Sequence, residues 1–392
     1  MLRPKTPPNP SSTVGRDYIA LASQVTADMN PVRLLVLGTG GMANRHAMEF
    51  STIPDAKIVA SIDVDLAKVR AFSVRHDIPN SFTSLSEALE WGEFDAVANV
   101  TPDRVHHPTT LQLLAAGKHV LCEKPLAESY DKACEMADAA DASGLVNMVN
   151  LTYRNVAQVQ KARQMVLAGE IGRVRHIEAS YLQSWLVSKA WGDWSTETQW
   201  LWRLSKKHGS NGVLGDVGIH ILDFAAYGAA THIERIFTRL KTFEKAPGNR
   251  IGEYELDAND SFTMNAEFAN GALGVIHASR WATGHLNELR LRVHGDKGAI
   301  EVVHRIDASH LRACLQEDVE LAVWLDIDVD PVATNSQKFI AAIQEGKMQE
   351  PSFRRAAELQ KVLDLAMLTE IERREIPVAT PVSEGIQPEP KD

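Results

Sequence analysis

The sequence predicts an α/β protein with an N-terminal doubly wound parallel sheet and a C-terminal α/β domain built on a large, mostly antiparallel, open-faced sheet. Three observations carry this prediction. An apolar strand, VRLLVL from Val32, runs directly into Gly38-Thr39-Gly40-Gly41-Met42-Ala43. Short β-branched runs then alternate with helical spacings as far as residue 150, the pattern of βαβ units. Beyond that point the texture changes to long alternating runs joined by turn signals, the pattern of antiparallel strands.

A chain of 392 residues is too long for one comfortable core, so two domains are expected. The reading divides it into an extension at 1–30, a nucleotide-binding domain at 31–150, an α/β domain at 151–380 and a polar tail at 381–392. The opening MLRPKTPPNPSSTVG is rich in Pro and Ser and lacks an apolar signal core, so it reads as a tail. Arg16 to Met29 reads as more tail, with a short helix or an arm onto a neighbouring subunit as alternatives. After the first strand come Lys57 to Ile62 as a second strand and a helical pattern from Asp65. Ser84 to Trp91 is a further helix, opened by a capping box of Ser84 and Glu87. Strands follow at Asp95–Val100, His119–Cys122 and Val146–Leu151, with helices at His107–Ala116 and Ser129–Ala142 between them.

A helix at Asn155–Ala168 leads into the second domain. Its alternating runs are Val174–Leu182, Ile233–Thr242, Ser261–Glu267, Gly274–Ala278, Glu288–His294 and Ala299–Val303, with turns at Asn270-Gly271 and Gly295-Asp296-Lys297-Gly298. A helix at Phe353–Glu372 closes the domain. With so few covering helices, one sheet face needs a partner subunit, so a homodimer or homotetramer through this sheet is expected.

Composition narrows the function classes. Charged residues make up 23% and hydrophobic residues 44%, and no apolar run approaches a membrane span. A net charge of −10 argues against a broad nucleic-acid surface. The three cysteines, Cys122, Cys134 and Cys314, show neither metal-ligand spacing nor a disulfide pattern. A reducing, cytoplasmic location and a small-molecule partner fit these features.

The glycine loop supplies the first chemistry. Where a buried parallel strand turns into a helix, Gly38 makes the turn, Gly40 lets backbone approach a pyrophosphate, and a small third residue, Ala43, permits close packing. Thr39, Gly41 and Met42 complete that loop. Asp63 closes the second strand, where a carboxylate accepts hydrogen bonds from a ribose 2′-OH and repels a 2′-phosphate. NAD is therefore expected over NADP.

Thr101-Pro102-Asp103-Arg104-Val105-His106 and Glu123-Lys124-Pro125 follow later parallel strands. Ligands bind at that sheet edge, so these groups are expected to face the nicotinamide half of a dinucleotide. Lys124 there hydrogen-bonds a substrate hydroxyl or helps remove its proton. A surface lysine paired with Glu123 is the competing reading, and Pro125 suggests either a fixed, cis bond or a helix start.

Asp216 and His220 are four residues apart in a helical pattern, so they share a face. Asp216 is expected to orient a proton-accepting His220. A metal site with His208, or a merely structural histidine, are the alternatives; no metal is assigned. Ser180 to Arg203 carries five of the eight tryptophans, and Trp185, Trp200 and Arg203 are the expected sugar-binding groups, with core packing the plain alternative.

Taken together these segments resemble the Gfo/Idh/MocA oxidoreductases, the family of glucose-fructose oxidoreductase and inositol 2-dehydrogenase. The markers are GTGGMA, Thr101-Pro102 to His106, Glu123-Lys124-Pro125, NLTYR at Asn150–Arg154, Gly169-Glu170-Ile171-Gly172, Asp216 to Asp223 and Gly295 to Gly298. The resemblance implies a Rossmann domain and a sheet used in oligomerisation. It also implies NAD(P)-dependent redox chemistry on sugars or cyclic polyols at a site of Lys124, Asp216 and His220. It places Tyr153 and Arg154 near nicotinamide and substrate. The Trp-rich insertion and the leader depart from the family pattern. Redox-assisted glycoside cleavage without net NADH, and a non-catalytic dinucleotide or sugar sensor, are the rival functions.

Overall fold

The computed structural model describes residues 30–378. The expected N-terminal extension, with its segment from Arg16 to Met29, and the tail beyond residue 380 lie outside the described residues.

Six parallel strands form the first sheet: β1 (Val32–Leu37), β2 (Ala56–Ile62), β3 (Asn80–Phe82), β4 (Ala96–Asn99), β5 (His119–Cys122) and β6 (Asn147–Val149). Their order is β3-β2-β1-β4-β5-β6, so the order in which strands are added reverses between β1 and β4, which pair in parallel. Helices α1 (Gly41–Ser51), α2 (Leu66–Arg75), α3 (Leu85–Trp91), α4 (Asp103–Ala115) and α5 (Tyr130–Ser143) connect them. The apolar run of β1 reflects burial on both faces, since Leu34, Leu35 and Val36 have no exposed surface.

Local chemistry sets the helix starts. Asp65 accepts from the backbone of Ala67 and Lys68 at α2, and Ser84 accepts from Glu87 N at α3. The Glu87 carboxylate accepts from Thr83 rather than Ser84, so the box closes one residue early. Helix α4 begins four residues before the expected His107, with Pro102 as its N-cap, and accommodates Pro108 in its interior.

The second half is a nine-stranded sheet. Its members are β7 (Val174–Gln183), β8 (Ile233–Lys241), β11 (Ser261–Phe268), β12 (Leu273–Ser279), β13 (Asn287–Gly295), β14 (Gly298–His304), β15 (Ser309–Leu315), β16 (Leu325–Asp326) and β17 (Ile376–Pro377). They lie in the order β16-β15-β14-β13-β7-β12-β11-β8-β17, and only β7 and β12 pair in parallel. A separate hairpin, β9 (Arg250–Ile251) with β10 (Tyr254–Glu255), sits outside the sheet.

One face of this sheet is covered by α6 (Ala157–Leu167), α8 (Ile219–Gly228) and α11 (Phe353–Glu372). Inward residues of β7, such as Ile177 and Tyr181, are buried there. The opposite face carries His176, Glu178, His277, Arg290 and Arg292 along an open groove. Sequence reasoning missed α10 (Asn335–Glu345), which opens with a capping box at Thr334 and Gln337. Phe339, Ile340 and Ala342 of α10 pack against Val32, Leu34 and Leu121 of the first sheet. The second half of the chain therefore returns to complete the first core. Among the described residues no helix is long and apolar enough to cross a membrane, and the three cysteines are unpaired.

Candidate active site

The strand-to-helix turn forms an open cradle. Gly38 has φ of 93°, and a Cβ there would lie 2.9 Å from the carbonyl oxygen of Val100, so both conformation and space exclude a side chain. Around Gly40 and Gly41 nothing lies within 4 Å of an added Cβ, and no side chain caps the first turn of α1. Free backbone N–H groups at a helix N-terminus beside open space suit a pyrophosphate. The Asp63 carboxylate accepts from Thr39 N at 3.0 Å, Thr39 Oγ1 at 2.6 Å and Asp65 N at 3.0 Å. Burial would raise this carboxyl, but the hydrogen bonds from Thr39 and Asp65 outweigh it and hold the group below its usual range. The loop and the acid therefore fit an NAD-type dinucleotide.

The lysine loop rests on a buried polar frame. Glu123 Oε1 lies 2.7 Å from His46 Nε2 and accepts from Asn150 Nδ2 at 2.7 Å, while Oε2 accepts from Lys124 N at 3.2 Å. His106 faces the carbonyl oxygens of Thr101 and Pro125 with its two ring nitrogens and is fully buried. The Lys124–Pro125 bond is cis, and the next helix starts only at Tyr130. These placements correct two expectations: Glu123 and His106 are committed to the protein rather than turned to a dinucleotide. Thr101 Oγ1 likewise donates to Asn99 at 2.7 Å.

Burial alone would raise the Glu123 carboxyl, yet His46 and the Asn150 amide bring it down to about 2. A carboxyl depressed in the fold contributes stability above its unfolded value near 4.5 and loses it as pH falls toward 2. This contribution is about 3 kcal/mol at neutral pH. Urea unfolding at pH 6 and pH 3 is expected to show a steep loss in the wild type. Glu123→Gln should start less stable and lose less between the two; equal losses would remove Glu123 from this role.

Across from the loop, Lys124 Nζ donates to the backbone oxygen of Asp216 at 3.0 Å and lies 3.8 Å from its carboxylate. Asp216 sits in a π-helical turn, Leu214–Gly218, that leads into α8. Its carboxylate also meets Arg280 Nη2 at 3.1 Å and Arg203 Nη1 at 3.6 Å. Burial would raise Asp216, but the charges of Lys124, Arg280 and Arg203 drive it far below the usual range. The expectation that Asp216 orients His220 is corrected: no hydrogen bond joins them. Guanidinium groups are stronger partners for a carboxylate than a neutral imidazole, and the widened π turn shifts the two off the α-helical face.

His220 is instead set by packing. Tyr153 lies edge-on to its ring at a centroid distance of 5.0 Å. Its Nδ1 is buried without a hydrogen-bond partner, which leaves Nε2 for a ligand. Burial, with the charge of Lys124, lowers the imidazole to about 3, so it is uncharged at neutral pH. The Tyr153 hydroxyl hydrogen-bonds Tyr181 at 2.5 Å and accepts from Asn287 Nδ2 at 3.3 Å.

Other expected site residues go elsewhere. Arg154 forms a bidentate pair with Asp223 at 2.6 and 2.7 Å and lies 3.7 Å over the Tyr227 ring, so it is a buried strut rather than a cofactor contact. Pro102 serves as a helix cap. His208 hydrogen-bonds Ser205 and stacks on Tyr254. Trp185 is 3% exposed, with Trp200 and the Arg280 guanidinium against its ring, and Trp200 also packs on Trp191. These tryptophans form the separate core of a cap with Leu201, Leu204 and Leu256, which corrects the expectation of sugar-stacking faces for Trp185 and Trp200. Trp202 is the exposed ring, with the Arg203 guanidinium 4.6 Å above it.

Sequence reasoning missed Arg280, which has no exposed surface. A signal for it existed. Gly274, Ile276 and Ala278 are the inward positions of β12, and Arg280 continues that phase as a lone charge.

Residues 32–151 match the family model described as an oxidoreductase family with an NAD-binding Rossmann fold. Residues 159–301 match the GFO/IDH/MocA C-terminal domain. Levoglucosan dehydrogenase of Pseudarthrobacter phenanthrenivorans is 26% identical over 295 residues, covering 69% of this chain and 73% of that one. The scyllo-inositol 2-dehydrogenase (NADP(+)) IolU of Bacillus subtilis is 24% identical over 342 residues, covering 86% and 96%. The crystal structure of an oxidoreductase domain protein from Kribbella flavida superposes with a TM-score of 0.79 at 29% identity, over 90% of this chain and all of that one.

Proposed function

Because the chain belongs to the Gfo/Idh/MocA oxidoreductase family, we propose that it is an NAD-dependent dehydrogenase of a secondary alcohol on a sugar, glycoside or cyclic polyol. One observation supports the reading: Lys124 crosses from the nucleotide half to the π turn that precedes His220, and its charge acts on that imidazole. The dehydrogenase relatives support the substrate class.

Bound at the Gly38–Ala43 cradle, NAD would supply the hydride acceptor. The protein supplies alignment and proton handling. Lys124, anchored on the Asp216 carbonyl, donates a hydrogen bond to the reacting hydroxyl and stabilises the developing alkoxide. The uncharged His220 accepts the hydroxyl proton through Nε2. The balance is one alcohol to one ketone, one hydride to NAD and one proton to the protein and then to water. Asp216 acts through Lys124, and Tyr153 holds the imidazole plane. Asp63 favours NAD over NADP through its charge at the 2′ position. A second copy of the chain is the proposed cover for the open sheet face, in a cytoplasmic homo-oligomer.

Absorbance of NADH in a panel of inositols, monosaccharides, anhydrosugars and glycosides tests this. Net NADH that rises with ketone product is expected. Product without net NADH would favour redox-assisted cleavage, and NAD binding with no turnover across the panel would favour a sensor.

A further inference from the structure

We infer that Asn335, the first residue of α10, is a positioning residue that holds the Lys124 loop and the Tyr153 turn beside His220 from one buried anchor. This rests on the assignment of Lys124 and His220 as the reacting groups. Asn335 has no exposed surface, and its Nδ2 donates to Asn150 Oδ1 at 3.3 Å and to the Leu151 carbonyl oxygen at 3.1 Å. Its backbone N–H donates to Asn155 Oδ1 at 2.7 Å. One residue therefore pins both ends of the segment 150–155. Helix α10 itself packs through Phe339 and Ile340 on Val32, Leu34 and Leu121, so the anchor belongs to the nucleotide half.

Two arms leave that segment. Along the first, Asn150 Nδ2 donates to Glu123 Oε1 at 2.7 Å, and Glu123 Oε2 accepts from Lys124 N at 3.2 Å. Asn335 thus reaches the lysine loop through two buried side chains. Along the second, the 3-10 turn Thr152–Asn155 carries Tyr153, whose ring lies edge-on to His220. A single four-residue turn without a side-chain cap has too few internal bonds to fix itself. The Tyr153 hydroxyl meets Tyr181 and Asn287, and Arg154 ties the turn to Asp223; Asn335 supplies the anchor on the nucleotide side.

The chemistry of the amide shows which end matters. Nδ2 has two carbonyl acceptors, whereas Oδ1 is buried without a donor. Buried polar groups are normally paired, so the orphaned oxygen is a cost that the two donations offset. A carboxylate of the same shape would set negative charge against both carbonyl oxygens.

The test compares Asn335→Ala with Ser336→Ala, which removes the neighbouring hydrogen bond from Ser336 Oγ to Glu49 Oε2 and touches neither arm. Hydrogen–deuterium exchange on the full chain reads the anchor directly. Exchange across residues 122–126 and 151–156 is expected to rise about tenfold in Asn335→Ala and to stay at the wild-type rate in Ser336→Ala. With any sugar that reduces NAD, kcat of Asn335→Ala is expected to fall about tenfold, with KM for NAD and sugar within about twofold of wild type. Ser336→Ala should keep the wild-type kcat. Asn335→Ser retains one donor, so it should lie between, and it carries the same comparison if the alanine variant does not fold. In the Lys124→Ala background the Asn335→Ala change should cost only about threefold, because one of its two arms no longer ends on a reacting group. Wild-type exchange in both segments of Asn335→Ala, an equal rise in Ser336→Ala, or the same kcat penalty in both backgrounds would overturn this inference while leaving the dehydrogenase intact. No NAD reduction by the wild type with any sugar would overturn the dehydrogenase itself, and exchange would still decide the anchor.

Discussion

Lys124→Ala is expected to lower turnover by about 10²–10⁴-fold while NAD affinity changes by no more than a few-fold. The asymmetry follows from position. The phosphate-binding backbone lies at Gly38–Ala43, whereas Nζ is anchored at 3.0 Å on the Asp216 carbonyl, in the turn that precedes His220. Removing the ammonium takes away the donor to the developing alkoxide and leaves the phosphate-binding backbone untouched. Fold stability should change little, because the side chain is partly exposed and its loop is fixed by Glu123, His46 and Asn150. Steady-state kinetics beside titration of NAD binding checks this. A fully active Lys124→Ala enzyme would remove Lys124 from the reaction.

Asp216→Asn is expected to damage both turnover and stability. Arg280 has no exposed side-chain surface, and Asp216 is its ion-pair partner, so neutralising the carboxylate strands a buried guanidinium. Breaking a buried pair from one side costs about 3–5 kcal/mol. The backbone carbonyl that anchors Lys124 remains, but the carboxylate 3.8 Å from Nζ loses its charge and the Arg203 and Arg280 guanidinium groups lose the partner that holds them beside it, so kcat should fall by about 10-fold or more. The double variant Asp216→Asn with Arg280→Met separates the two effects. Stability measured by urea unfolding should largely return, because the stranded charge is gone, while turnover should not. Full recovery of turnover would show that Asp216 serves packing alone.

The parts of the fold legible in sequence were those with strong local signals. The run from Val32 into the glycine loop, the Asp63 carboxylate and the Phe353–Glu372 helix each announce themselves through burial, backbone need or apolar spacing. Helix α10 escaped because its apolar residues, Phe339, Ile340 and Ala342, serve the distant first sheet rather than their sequence neighbours. The candidate site was legible in its members more than in their roles. Lys124 does meet Asp216, but spacing alone favoured an Asp216–His220 bond that the three cations take away. Arg154 and Glu123 are polar groups near a ligand edge in sequence that tertiary partners, Asp223 and His46, recruit for structure. Trp185 shows the same limit, since an aromatic that suits a sugar face suits a core equally well.

The most direct test of the central claim is a crystal structure of the protein with NADH and a sugar shown to be a substrate. One carbinol oxygen of that sugar should lie within hydrogen-bond reach of both Lys124 Nζ and His220 Nε2, with its carbon facing the nicotinamide ring. A sugar bound with its reacting hydroxyl out of reach of both groups would contradict the account.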